Sequence, residues 1–159
     1  MELATRRVHI AGIMHNPYGE WMEQVARNLT DAFDGFLLGT RYIILDRDPL
    51  FTCDFRKILR DAGTTPVRLP ARSPNLNAHA ERFVLSIKTE CIGQMIFFSE
   101  AQLRRAVAAY VERYHLERNH QGLGNRLLNG SQPAANDCGS IQCRSRLGGL
   151  LRFYHREAA

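Results

Sequence analysis

Two carboxylates in this chain have the setting that phosphoryl-transfer chemistry asks for. Asp46 closes a short apolar run, Tyr42–Leu45, and Glu81 stands on an amphipathic segment just after Ser73-Pro74-Asn75-Leu76-Asn77, with 34 residues between the two acids. A buried strand that delivers an Asp at its C-terminal end, and a helix that delivers a Glu, can bring two hard oxygen ligands together. A divalent-metal site acting on phosphate needs that pair. Asp48, two residues further on, could sit just outside such a site but reads better as a turn-stabilising Asp before Pro49. Lys88 lies two helical turns from Glu81 on the same side, where a cation can meet a phosphate. Arg72, Asn75 and Asn77 precede the Glu81 helix, where a loop can meet a substrate, and a plain helix cap explains the asparagines almost as well.

Several elements must position these groups. Residues 2–14 alternate Val8 and Ile10 with Arg7 and His9, a period-2 pattern that predicts a strand with one buried face. Ala4-Thr5-Arg6 before it has the composition of a tight turn. Trp21, Val25, Leu29 and Ala32 recur at helical spacing and predict a helix from about Glu20 to Ala32. The Tyr42–Leu45 strand follows. Next comes a helix burying Phe55, Ile58 and Leu59, which stops at Ala62-Gly63. Pro66–Pro70 reads as a short strand bounded by prolines. On the helix after it, Ala80, Val84, Ile87 and Cys91 form an apolar stripe. Ser99-Glu100-Ala101-Gln102 has capping-box form and opens a helix carrying Leu103, Val107, Tyr110, Val111 and Tyr114, ending near His115. From Asn119 the sequence loosens, with a late strand expected near residues 147–154, paired in a hairpin with Ile141-Gln142-Cys143. Strand and helix alternate, an α/β pattern in three layers.

Composition narrows the field. The 159 residues are one domain's worth, 45% hydrophobic and 23% charged, with a net charge of +5. The charge is uneven: residues 1–48 hold five Lys/Arg against seven Asp/Glu, residues 49–98 seven against four, and residues 99–159 nine against five. A basic surface beside an acidic N-terminal third suits a protein that binds a polyanion and holds cations locally, although a solvated basic surface without a partner has the same composition. Cys53, Cys91, Cys138 and Cys143 form no CxxC pair and no zinc-ligand spacing, so they read as thiols of a reducing compartment. His9, His15, His79, His115 and His155 have no ligand spacing either. No signal peptide is apparent, and no apolar run approaches the ~18 residues of a membrane span.

In these residues the chain resembles the integrase core of DDE transposases, the ribonuclease-H-like phosphoryl-transfer enzymes of insertion sequences and retroviruses. LDRDPLF places Asp46 where the family carries its second acid, and SPNLNAHAERFVLSIKTEC places Glu81 where it carries its third, with the family's separation between them. YHLERNHQGLGNRL, with Tyr114, Arg118, His120 and Leu123, looks like a segment found soon after the acid-bearing helix in many such transposases. The family's first acid is usually an Asp followed shortly by Thr-Arg. The matching text here, Glu2-Leu3-Ala4-Thr5-Arg6-Arg7, puts Glu2 in that place.

The resemblance implies a ribonuclease H-like three-layer fold, a mixed sheet flanked by helices with the first strand largely missing. It implies a catalytic core over residues 1–128 and a loosely structured tail over 129–159 that can hold a short hairpin. It also implies that Asp46, Glu81 and Glu2 are catalytic and hold two Mg²⁺ or Mn²⁺ ions, with DNA contacted by Lys88, Arg72, Asn75, Asn77, Arg118 and His120. Packing of the helix end is the alternative role for Tyr114, Arg118 and His120. Expected partners are DNA, at the element ends and the target, and further copies of the chain as a dimer or larger; no membrane and no small-molecule cofactor are expected, and the location is the cytoplasm. With no upstream helix-turn-helix and little of the first strand, the chain reads as the C-terminal piece of a transposase. Three functions follow: a transposase core that cuts and joins DNA, a non-catalytic remnant that binds DNA or full-length transposase, and a stand-alone ribonuclease H-type nuclease.

Overall fold

In the computed structural model, residues 1–71, 73–125, 127–128 and 139–156 are described, with Pro74, Asn75 and Gln121 described in their backbone alone. They form a mixed α/β protein that divides into two compact units, one of His9–Ala78 and one of Met1–Val8 with His79–Ala159.

The first unit holds α1 (Gly19–Leu29), β1 (Tyr42–Leu45), α2 (Cys53–Asp61) and β2 (Thr65–Arg68). β1 and β2 pair in parallel, with Tyr42 opposite Thr65 and Leu45 opposite Arg68. The bond from Leu69 N–H to Leu45 O extends the ladder past the strand end. Helix α2 is the crossover between the two, so β1–α2–β2 is a βαβ unit. Thr52 caps α2, its Oγ1 accepting from Phe55 N–H at 3.2 Å. The helix stops where expected, because Gly63 takes the left-handed backbone (φ 86°) that residues with a Cβ avoid. The core gathers Met22, Ala26, Leu37, Leu45, Phe55 and Leu59, with Trp21, Phe36 and Ile43 packed on it.

Between α1 and β1 the chain turns on Asp31, whose Oδ1 accepts from Phe33 N–H at 2.8 Å. Gly35 fits inside that turn only without a side chain, since a Cβ there would lie 2.5 Å from Asp31 O and 2.7 Å from Leu29 O. Both atoms are backbone, so the clash cannot be relieved by a rotamer change. Gly35→Ala is expected to cost about 1–3 kcal/mol, the range for forced overpacking. Chemical denaturation would check this, and an unchanged midpoint would refute it.

The second unit holds α3 (Ala78–Glu90), α4 (Glu100–Leu116), β3 (Ile141–Arg146) and β4 (Leu151–Arg156). Ser99 caps α4, its Oγ accepting from Gln102 N–H at 3.3 Å, while Gln102 Oε1 accepts back from Phe98 N–H at 2.8 Å. The capping-box reading therefore identified the right helix start. β3 and β4 form an antiparallel hairpin, Ile141 opposite Arg156 and Arg146 opposite Leu151.

Two expectations require correction. Where one mixed sheet flanked by helices was expected, the described strands make two separate pairs, β1–β2 and β3–β4. The period-2 text of residues 2–14 forms no strand. Glu2–Arg7 is instead a closed turn, with Glu2 N–H to Arg7 O at 2.8 Å and Arg6 N–H to Glu2 O at 2.9 Å. Of the residues that follow, Val8 is buried, whereas Ile10 and Met14 are exposed. Alternation alone does not make a strand; a neighbour must take up its N–H and C=O groups.

Candidate active site

Asp46 follows directly on β1, at the carboxyl end of the parallel pair, and is exposed. In open parallel sheets ligands collect at that end of the strands. Asp46 Oδ1 accepts from Asp48 N–H at 3.0 Å, and Asp48 Oδ1 accepts in turn from Leu50 N–H at 2.8 Å. These successive Asx-turns orient the Asp46 carboxylate, and among the described residues its second oxygen has no partner. Asp48 is thus used by its own turn.

Glu81 lies in the first turn of α3, where the helix dipole favours a negative charge. Its outward direction is set from both ends of the helix. Phe83 and Ile87 are buried, Phe83 edge-on to the Tyr114 ring with centroids 5.0 Å apart. At the far end Glu90 is clamped to the elements that follow: Arg118 Nη1 donates to Oε1 at 2.7 Å, and Arg113 Nη1 and the Tyr110 hydroxyl donate to Oε2 at 3.2 and 3.3 Å. With Phe83, Ile87 and Glu90 so held, Glu81, Leu85 and Lys88 face outward and are exposed. Glu81 and Lys88 share one face, about 10 Å apart along the axis at the helical rise. Among the described residues neither has a hydrogen-bond or ion-pair partner.

The expected apolar stripe on α3 is shifted. Val84 is 44% exposed, and Phe83 takes its place beside Ile87 and Cys91. Phe83 has more apolar surface to hide and a ring to pack against two tyrosines, so the helix turns that way.

The remaining predicted residues stand as follows. Glu2 is exposed in the Glu2–Arg7 turn, with one carboxylate oxygen accepting from the Thr5 hydroxyl. Arg72 and the side chain of Asn75 lie outside the described residues. Asn77 is half-buried in a 3-10 turn, Pro74–Asn77, that leads straight into α3, and it makes no side-chain cap bond among the described residues. Arg118 and His120 are engaged inside the second unit. Arg118 also donates to the Tyr110 hydroxyl at 3.0 Å and stands over the Tyr114 ring, and His120 Nε2 lies 3.0 Å from Tyr114 O.

The sequence reading missed Glu90, which fixes the rotation of α3, and placed Tyr110 on the apolar face of its helix without its bond to Glu90. Tyr110 is fully buried, and burial together with the Glu90 charge pushes its phenol up to about 12. Their separation of 20 residues carries no local signal. His115, one of the histidines without ligand spacing, has a structural partner instead. Its Nε2 accepts from Val8 N–H at 2.9 Å, which requires the neutral ring. Burial, then the charges of Arg7 and His120, hold its pKa below the usual 6.5. A lowered histidine pKa means that the unfolded chain takes up the proton first. The stability it contributes is therefore full above about pH 6.5 and is lost as the pH falls through that value toward the folded one. Thermal melts from pH 8 to 5 are expected to fall more steeply for this chain than for His115→Gln, and parallel curves would refute the assignment.

A divalent metal is implied by the resemblance. Donor by donor, Asp46 and Glu81 fit a hard cation, since each is an exposed carboxylate with at least one oxygen free. Among the described residues, no group of three or more His, Cys, Asp or Glu side chains is gathered closely enough to hold an ion. No helix among them is long and apolar enough to cross a membrane.

No curated protein and no solved structure matches the chain. The family comparison does match: residues 62–127, under half of the chain but including Glu81, Lys88 and the Tyr114–Leu123 segment, fit the family described as Integrase core domain, and over that stretch the chain is similar to an integrase core.

Proposed function

We propose that this protein acts on DNA by metal-dependent phosphoryl transfer, cleaving and joining strands as the core of a transposase or integrase. The observation that carries the reading is the integrase-core match over residues 62–127, within which Glu81 stands on an outward helix face with no partner among the described residues. Asp46, outside the matched stretch, supports it from the carboxyl end of β1. In this reading the β1–α2–β2 unit would belong to a ribonuclease H-like fold, with the core spanning residues 1–128; the parallel pairing of β1 and β2 across a helix supports it.

Asp46 and Glu81 are the proposed metal-holding carboxylates, and Glu2 is the candidate for a third. When bound, Mg²⁺ or Mn²⁺ supplies activation of the attacking oxygen and charge stabilisation at the leaving one. The chain's own residues do the rest. The Asx-turn at Asp46 holds its carboxylate in one orientation, and burial of Phe83 and Ile87 aims Glu81 away from the core. Lys88 meets a substrate phosphate along the same helix face, with Arg72, Asn75 and Asn77 contributing from the preceding loop. An oxygen of water or of a DNA 3′-hydroxyl forms the new bond to phosphorus and gives its proton to solvent, while the bond to the leaving 3′-oxygen breaks and that oxygen takes up a proton from solvent. No covalent protein intermediate is required. The protein would work on DNA in the cytoplasm as a dimer or larger.

A second reading, a non-catalytic remnant that binds DNA, is favoured by the place of Glu2 in a turn rather than on a strand. Nicking and strand-transfer assays with Mg²⁺ and Mn²⁺ decide between the two. Metal-dependent cleavage that disappears in Asp46→Asn and Glu81→Gln supports the first. DNA binding by a folded chain with no cleavage supports the second.

A further inference from the structure

The C-terminal hairpin lies beyond the matched stretch, and its two faces differ in chemistry. Residues 139–156 include four arginines and no Asp or Glu. Residues directly opposite in an antiparallel pair share a face, so Arg144 and Arg146 fall with Phe153 and Leu151 on one side, and Arg152, Tyr154 and Arg156 fall with Ser145, Cys143 and Ile141 on the other. The first side is committed inward: Arg146 and Arg144 reach Glu117, and Leu151 is buried. The second side is open. Arg152 and Arg156 are exposed, and Tyr154 between them is 61% exposed. Arg156 donates to Gly139 O, and among the described residues neither arginine has an acidic partner.

We propose that this outer face of the hairpin binds single-stranded DNA, with Arg152 and Arg156 on phosphates to either side of an unpaired base stacked on Tyr154. Same-face residues on a strand are about 6.8 Å apart, so the two guanidinium stems bracket the ring symmetrically over roughly 14 Å. Charge complementarity selects a polyanion: two exposed arginines without an acidic partner among the described residues, on a hairpin face that carries no acid. The exposed ring selects an unpaired strand, because a duplex keeps its base faces stacked inside and has nothing to offer Tyr154. A strand freed by cutting is such a ligand, and to this extent the inference rests on the proposed DNA chemistry; the binding itself does not require catalysis.

The test is fluorescence anisotropy of a labelled oligo-dT and of a duplex of the same length, using the full chain and variants whose melting matches it. Arg152→Ala/Arg156→Ala is expected to weaken oligo-dT binding ~10-fold or more and to flatten the salt dependence by about 1.4 in log–log slope, the value for two phosphates of a single strand. Tyr154→Ala is expected to lose ~5-fold or more, while Tyr154→Phe keeps its affinity and Tyr154→Leu does not. Asp46→Asn and Glu81→Gln are expected to bind oligo-dT as the parent does even where cleavage is gone, so failure of catalysis and failure of this surface are read separately. Absence of oligo-dT binding, binding equal in all hairpin variants, or a preference for duplex that Tyr154→Ala leaves unchanged would each overturn the proposal.

Discussion

Glu81→Gln and Asp46→Asn are each expected to reduce metal-dependent strand cleavage by about 10²–10³-fold or more, at least the loss seen when one preorganised charge-stabilising group is removed. Neither should unfold the protein. Glu81 is exposed and unpartnered among the described residues, so its replacement is a surface change within about ±0.5 kcal/mol. Asp46 does have a structural duty, because its Oδ1 accepts from Asp48 N–H. Asparagine keeps that oxygen and loses only the negative charge, whereas Asp46→Ala would lose both. The pair Asn and Ala at this position therefore separates metal affinity from turn stability. Calorimetric titration with Mg²⁺ and Mn²⁺ should show binding in the parent and none in Glu81→Gln. Cleavage that persists in both variants would end the assignment of these acids, and a parent that is folded but takes up no metal would move the reading to the remnant.

The second large effect concerns the joint between α4 and the hairpin. Glu117 has a side chain only 2% exposed, and Arg146, 16% exposed, grips it with Nη2 to Oε1 at 2.7 Å and Nε to Oε2 at 3.2 Å. Arg146 also reaches Glu112 at 2.8 Å, and the more exposed Arg144 approaches Glu117 at 3.4 Å. Arg146→Met strands a buried carboxylate with one weak partner and is expected to destabilise the hairpin's docking by about 3–5 kcal/mol. The double variant Arg146→Met/Glu117→Leu removes the stranded charge and should recover most of the loss, so the two changes are far from additive. Hydrogen exchange in β3 and β4 together with thermal melting would measure this. An Arg146→Met protein that melts and exchanges like the parent would refute it.

The same joint has a pH signature. Burial raises the Glu117 pKa, but the hydrogen bonds and charges of Arg146 and then Arg144 outweigh burial and hold it below its ordinary 4.5. The stability from this carboxylate is present above that value and is lost as the pH falls through the lower folded one. Parent and Arg146→Met should therefore converge in acid.

Local chemistry made a good part of this molecule readable from its text. The stop of α2 at Ala62-Gly63, the Ser99 capping box and the late hairpin depend on neighbours within a few residues, and the Tyr42–Leu45 strand stands out as a short apolar run. The shared face of Glu81 and Lys88 needs only the 3.6-residue period. What the text left open turned on distant partners. Residues 2–14 alternate like a strand yet form none, because a ladder needs a second segment in register and alternation carries no information about that. The α3 stripe, expected to run through Val84, runs through Phe83 because Tyr114 offers that ring an aromatic edge to pack against. Glu117 and Arg146, 29 residues apart, could not be matched in the sequence at all, since two charges find each other only where folding has excluded the water that would otherwise screen them.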